Sequence, residues 1–291
     1  MGSRYGGLKQ CDALGPSGET LLEYAIFDAM RAGFKQVVFV IRLEFEKDFR
    51  VKILDRLPQK IRTALVFQGL EDLPPKFSVP QGRLKPWGTA HAVLAARDVI
   101  RNPFVVINAD DYYGPQPLRL LGDFLRQNKS DARFALVGFR LANTLSAHGA
   151  VSRGVCKVNL WNRLQSLTEH RHIERTRSGI VSVDKDGNRN SISGRAITSM
   201  NLFGFTPLYF ERLKEQFPEF LRDHSKDLKA EFALPTSVNA LVADGQVSLN
   251  VLKTRASWFG VTHAEDRESA RKEIALRIAR GLYPKCLWSD F

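Results

Sequence analysis

The feature that most constrains this chain is a repeating order in its first half. A helical apolar stripe is followed by a strand-sized apolar run, and the run stops at a polar residue. Residues 20–32 carry apolar side chains at Leu21, Leu22, Ala25, Ile26, Ala29 and Met30, the spacing of one helix face. Gly33 then closes the helix, and Val37 to Ile41 reads as a buried strand. The order repeats with a helix over 46–57 and a strand over 64–68, then a helix over 88–100 and a strand over 104–109. A fourth round places a helix over 115–127 and a strand over 134–139. Strands that alternate with helices pair in parallel and carry helices on both faces, so the expectation is an α/β fold with a mostly parallel central sheet. Ligands of such sheets bind beyond the carboxyl ends of the strands, which puts Gln68 and Asp110–Asp111 at the mouth of one crevice.

The second half changes character. Residues 150–206 are strand-rich, with a turn signal at Lys185-Asp186-Gly187-Asn188. A helix is predicted over 207–221, a strand over 247–252 and a long final helix over 264–282. With no internal repeat or linker-like stretch, residues 1–291 read as a single domain. An α/β half runs to about residue 140, and a strand-rich substrate lobe on the same sheet covers 141–291.

Charge narrows the partners. A net charge of +12 favours polyanions, and phosphates are the simplest of these. The Lys and Arg residues are dispersed and form no familiar nucleic-acid motif, so nucleic acid is not expected, and a solvated surface accounts for much of the excess. The longest apolar runs are too short to cross a membrane, and no apolar stretch opens the chain as a signal peptide does. Cys11, Cys156 and Cys286 have no metal or redox spacing, which suits a reducing cytoplasm.

The chain opens Met1-Gly2-Ser3-Arg4-Tyr5-Gly6-Gly7-Leu8-Lys9-Gln10. Small residues let backbone approach a triphosphate, and Arg4 and Lys9 supply cations that one loop can bring together. The Lys-Ser/Thr ending of a P-loop is absent, and no strand precedes the segment as a dinucleotide fingerprint requires. This opening resembles the signature loop of the sugar-nucleotide pyrophosphorylases, and further segments resemble that family in the same order. They are Gly18-Glu19-Thr20-Leu21-Leu22, Val66-Phe67-Gln68, Lys85-Pro86-Trp87-Gly88-Thr89-Ala90-His91-Ala92 and Val106-Ile107-Asn108-Ala109-Asp110-Asp111. Leu167-Thr168-Glu169 and Met200-Asn201-Leu202-Phe203-Gly204-Phe205 complete the set.

The resemblance implies a GT-A-like, Rossmann-like three-layer fold whose first half, to about residue 140, binds the nucleotide, and a Mg²⁺-dependent transfer. A phosphate oxygen of an acceptor attacks the α-phosphorus of a nucleoside triphosphate and pyrophosphate leaves, a reaction driven by positioning and charge stabilisation. It implies that Arg4 holds the β- and γ-phosphates, Lys9 steadies the α-phosphate, and Gly2 and Ser3 line the same loop. Gln68, with the backbone of Gly88 and Thr89, would read the base, and Asp110 would bind the metal, a role open to a lesser degree to Asp111. Glu169, Arg171 and Asn201 would meet the acceptor. His91 reads as a packing or capping residue, and His170-Arg171-His172 lacks the further ligands a metal site needs.

Three departures shape the expectations. The family's apolar first strand and Leu-Ala-Ala-Gly normally precede the position of Met1, so a start further upstream is expected. Its Glu-Lys-Pro segment reads Glu169-His170-Arg171, so another cation, Arg171 or Arg153, would have to meet the acceptor phosphate. Its Trp-x-Asp segment reads Trp258-Phe259-Gly260, leaving Asp266, or less favourably Glu265, as the second metal carboxylate. A sugar 1-phosphate is the expected acceptor. The altered acceptor segment leaves open a cytidylyltransferase for an alcohol phosphate such as phosphocholine. The missing strand and carboxylate leave open a nucleotide-binding regulator without activity. Hexapeptide repeats of an appended β-helix are absent.

Overall fold

A computed structural model describes residues 12–146, 149–177, 179–184, 186–224, 226–261, 264–289 and 291, the side chains of Ala264 and Glu265 excepted. The first helix, α1 (Leu21–Arg31), begins with a reciprocal cap. Thr20 Oγ1 accepts from the Glu23 N–H at 3.2 Å while Glu23 Oε2 accepts from the Thr20 N–H at 2.8 Å, so two otherwise orphaned donors are satisfied. Gly33 follows at φ 93°, the left-handed turn that stops the helix. β1 (Gln36–Ile41), α2 (Glu46–Lys52), a short 3₁₀ turn (Leu54–Arg56) and β2 (Arg62–Phe67) come next. α3 (Thr89–Ala95), β3 (Phe104–Val106), β4 (Asp111–Tyr112), α4 (Pro115–Gln127) and β5 (Arg133–Arg140) complete the first half. The helices expected over 46–57 and 88–100 are therefore shorter than their apolar spacing suggested.

The second half runs β6 (Val151–Val158), β7 (Leu164–Thr176), β8 (Gly179–Val183), β9 (Arg189–Ile192) and β10 (Ile197–Phe205). Then follow α5 (Leu208–His224), α6 (Leu234–Ala243), β11 (Ser248–Lys253), β12 (Phe259–Gly260) and α7 (Ala264–Ala279). The sequence reading has no counterpart for α6. Its Pro235, Thr236, Val238 and Asn239 are weak helix formers, and the helix is held by burial of Leu234, Val238 and Leu241. No described helix is long and apolar enough to cross a membrane.

The sheet topology corrects one expectation. β1 and β2 pair in parallel, as alternation with helices predicts, but form a two-stranded sheet of their own. The large sheet is mixed and has the order β11-β5-β10-β6-β7-β8-β9, with β3 also on β10. Only the β11–β5 ladder in it is parallel; β10 runs antiparallel to β5, β3 and β6. A central sheet that is mostly parallel is therefore not what forms. The physical reason lies in the connections. β6 to β10 follow one another without a crossover helix, so they pair antiparallel, and β10 enters the middle of the sheet in the opposite sense to β5.

The largest apolar core gathers Phe134, Leu136, Phe203, Phe205, Tyr209, Phe217 and their neighbours under α3, α5 and α6. Phe205 and Tyr209 stack at 4.0 Å between ring centroids, tying the end of β10 to α5. A second cluster joins α1 to the carboxyl-terminal segment through Tyr24, Phe27, Ile274, Tyr283 and Leu287. The first core packs Phe104 of β3 against Phe205 of β10, and the candidate site is built beside the junction of these strands.

Candidate active site

β10 changes partner along one edge. Ile197 to Ser199 pair with Cys156 to Gly154 of β6, whereas Phe203 to Phe205 pair with Val106 to Phe104 of β3. Between the two ladders the register with β5 slips, and Asn201 sits in the left-handed region at φ 57°. Such a bulge bends a strand and ends pairing where a side chain must be re-aimed. Counting outward along each ladder, the chain beyond Val106 runs toward the bulge from one side and Gly154, Arg153 and Ser152 run toward it from the other. The acidic pair Asp110–Asp111, Arg153 and Asn201 are thus brought to one place from three distant parts of the chain.

The two aspartates differ sharply. Asp110 is half-buried; its backbone carbonyl accepts from the Val261 N–H at 3.3 Å, and its carboxylate has no hydrogen-bond or ion-pair partner among the described residues. Asp111 is buried, and its Oδ2 accepts from Asn108 Nδ2 at 2.9 Å and from the Tyr113 hydroxyl at 3.0 Å. The same hydroxyl lies 2.9 Å from the Met200 carbonyl, which ties the aspartate to the bulge. Burial, then the neighbouring Asp110 charge, pushes the Asp111 carboxyl up from its ordinary range, and the Asn108 and Tyr113 bonds pull it back. Across the β4–β12 ladder Asp111 faces Gly260, where an added Cβ would come within 2.8 Å of Asp111 Oδ1. Asn108, Tyr113 and Gly260 support this network and were not singled out from sequence; Asn108 and Tyr113 flank the aspartates in the chain, which was the available signal.

At the end of β2, Gln68 is locked rather than free. Its Nε2 donates to the Gly88 carbonyl at 2.9 Å and meets His91 Nδ1 at 3.1 Å, while His91 Nε2 meets the Asp72 carbonyl at 2.9 Å. The Gly88 and Asp72 carbonyls can only accept, so the Gln68 nitrogen faces inward and His91 carries its proton on Nε2. Both amide hydrogens are then used, and Oε1 is the group left to offer a ligand. His91 is fully buried, and burial holds its pKa below the ordinary imidazole value. It is a packing residue, as expected, and it also orients Gln68.

The loop before α3 is similarly fixed. Thr89 Oγ1 accepts from the Leu234 N–H at 2.8 Å, which ties its side chain to the start of α6, and its hydroxyl hydrogen stays available as a donor. Trp87 is buried, donates to the Leu70 carbonyl at 2.9 Å, and carries the Arg83 guanidinium 3.7 Å from its ring centroid. Gly88 has φ 115° and ψ −178°, and a Cβ there would lie 2.5 Å from the Phe232 carbonyl oxygen. That backbone region is open in practice to glycine alone. Gly88→Ala is accordingly expected to cost about 2–3 kcal/mol and to weaken nucleotide binding, as denaturant unfolding and nucleotide titration would show. Unchanged stability would mean that the loop relaxes without loss.

The remaining expected residues fall as follows. Gly2, Ser3, Arg4 and Lys9 lie outside the described residues. Glu169 and Arg171 are exposed on β7 and lie 3.8 Å apart as an ion pair. Asp266 is half-buried in the first turn of α7. Among the described residues no three His, Cys, Asp or Glu side chains gather as a metal site, so Asp266 does not join Asp110 and Asp111 in one cluster.

No protein-family profile matches this chain, and no curated protein sequence matches it. Solved structures do. The inositol-1-phosphate CTP transferase from T. maritima matches with a TM-score of 0.55 at 14% identity, covering 90% of this chain and 86% of that one. HddC from Yersinia pseudotuberculosis matches with a TM-score of 0.54 at 13% identity, covering 93% of this chain and 92% of that one. This chain shares their fold. The match extends over both halves of this chain.

Proposed function

We propose that this chain is a Mg²⁺-dependent nucleotidyltransferase that joins a nucleoside triphosphate to a sugar 1-phosphate and releases pyrophosphate. The observation that carries the reading is the Asp110 carboxylate, without a hydrogen-bond or ion-pair partner among the described residues, set between β3 and β4 beside Asp111 and near the bulge of β10. Two adjacent carboxylates, with no third acidic, histidine or cysteine ligand gathered beside them among the described residues, suit Mg²⁺, which takes one or two carboxylates and leaves its other positions to phosphate and water. When bound, the ion supplies positive charge to the phosphate oxygens. Asp110 would hold it, with its backbone carbonyl tied to the Val261 N–H.

Gln68 presents Oε1 to a donor on the base edge, with the backbone of Gly88 and Thr89 beside it. Arg4 and Lys9 receive the triphosphate, on the resemblance of their loop. An acceptor phosphate oxygen bonds to the α-phosphorus as the bond to the pyrophosphate oxygen breaks, and no proton or covalent enzyme intermediate is needed. The fold neighbour named for CTP and inositol 1-phosphate supports CTP as the first nucleotide to try and keeps polyol and alcohol phosphates among the acceptors.

The test is pyrophosphate release with Mg²⁺ across the common nucleoside triphosphates and a panel of sugar 1-phosphates, inositol 1-phosphate and phosphocholine. Release by one pair establishes the reaction and names its substrates. Nucleotide binding without release under any pair would favour a regulator instead.

A further inference from the structure

Arg153 of β6 is a cation in an unusual setting. Its Nε and Nη2 donate to the Thr144 carbonyl at 3.1 and 2.5 Å, and its Nη1 donates to the Ser152 carbonyl at 2.8 Å. The guanidinium carbon lies 4.7 Å from the centroid of the Trp258 ring. A guanidinium has five N–H groups, and these bonds take three, leaving one on each Nη as an open fork. Burial draws the group down to about 10, and Asp111 is the charge that acts against this shift. No carboxylate among the described residues forms an ion pair with it. A desolvated cation is costly unless an anion meets it, and this one is held at the junction of β3, β6 and β10.

Arg171, the other cation considered for the same task, is placed differently. In the β6–β7 ladder Arg153 opposes His170 and Gly154 opposes Glu169. Opposed residues share a face of the sheet and successive residues alternate, so Arg153 and Glu169 lie on opposite faces; the ladder is bulged just beyond, and Arg171 is exposed and turns to Glu169. Arg171 is also already neutralised by Glu169. Of the two, only Arg153 has an unpaired charge directed toward Trp258 and Asp111.

We propose that Arg153 receives the phosphate of the acceptor, so that the second substrate is a phosphomonoester seated on the open Nη fork. This deepens the nucleotidyltransferase reading and rests on it for the word acceptor, but the anion site can be tested without turnover. Inorganic phosphate titrated calorimetrically into the full chain is expected to bind about ten- to a hundredfold more weakly to Arg153→Gln. Arg153→Lys should fall between the two, because a point charge replaces a fork. Arg175→Gln, an exposed cation of the same lobe, should match the unsubstituted chain.

CTP affinity and melting temperature report separately on the nucleotide half and on folding, and both should stay unchanged in Arg153→Lys. Equal phosphate affinity in the Arg153 variants, or loss in Arg171→Gln instead, would overturn the proposal. A parallel loss of CTP affinity and melting temperature in Arg153→Lys would likewise overturn it, by showing a structural role. If Arg153→Gln does not fold, the lysine variant decides alone. Failure of the unsubstituted chain to release pyrophosphate, with phosphate binding lost in Arg153→Lys, would sink the enzyme reading and leave the anion site standing.

Discussion

Replacing Asp110 with Asn is expected to lower pyrophosphate release on the order of a thousandfold while leaving the fold intact. The substitution removes a charge and keeps the shape. The Asp110 side chain is half-exposed and makes no hydrogen bond among the described residues, so little stability depends on it. The loss should therefore appear in the rate and in Mn²⁺ affinity, and not in the melting temperature. Asp111→Asn is the informative contrast, because Asn108 and Tyr113 already hold that position. Single-turnover rates for both variants, with CTP and each acceptor that proves active, would separate the roles. A full rate in Asp110→Asn would remove the observation on which the proposed function stands.

The second large effect is on stability and lies away from the site. Asp28 of α1 is buried, with its Oδ2 accepting from the Tyr283 hydroxyl at 2.6 Å and its Oδ1 left without a partner. That hydroxyl also lies 2.8 Å from the hydroxyl of Tyr112, on β4 beside Asp111. Burial raises the Asp28 carboxyl to about 7, against the lowering effects of the Tyr283 bond and the Arg31 charge. A folded-state pKa above the unfolded value means that the folded state holds the proton more tightly. Its contribution is full below about pH 4 and is lost as the pH rises through about 7. The window spans roughly three pH units, worth up to about 4 kcal/mol. Asp28→Asn keeps an acceptor for Tyr283 and cannot ionise. Denaturant unfolding at pH 5 and pH 8 should show the unsubstituted chain losing stability relative to the variant. Parallel pH profiles would mean that Asp28 is not protonated in the folded state near neutrality.

Much of the local structure was legible because local chemistry decides it. The Thr20–Glu23 capping box, the stop at Gly33 and the Pro115 start of α4 each act within a few residues, and the helices form where those signals lie. The short strands were legible as apolar runs bounded by Gln68 and Asp110; Gln68 lies just beyond β2, whereas β3 stops at Val106, short of the expected 109, and Asp110 comes directly before β4. α6 was not legible, since its residues become helical through burial against β7 and α5 rather than by preference. Nor was the sense of the central sheet, because alternation of elements says which strands exist and not where a later strand inserts.

The site divides along the same line. By itself the sequence determined which residues can do phosphate and metal chemistry, since a carboxylate pair, a glutamine and a set of cations are chemical identities that no fold alters. Only the tertiary structure decided which of them meet. Placing β10 between β5 and the ends of β3 and β6 is a long-range pairing. Side chains along a strand alternate, so a register shift of one residue carries each to the opposite face. The β10–β6 register sets Arg153 toward Trp258 and Asp111, while on the next strand the bulge in the β6–β7 ladder leaves Arg171, eighteen positions later in the chain, exposed and paired with Glu169.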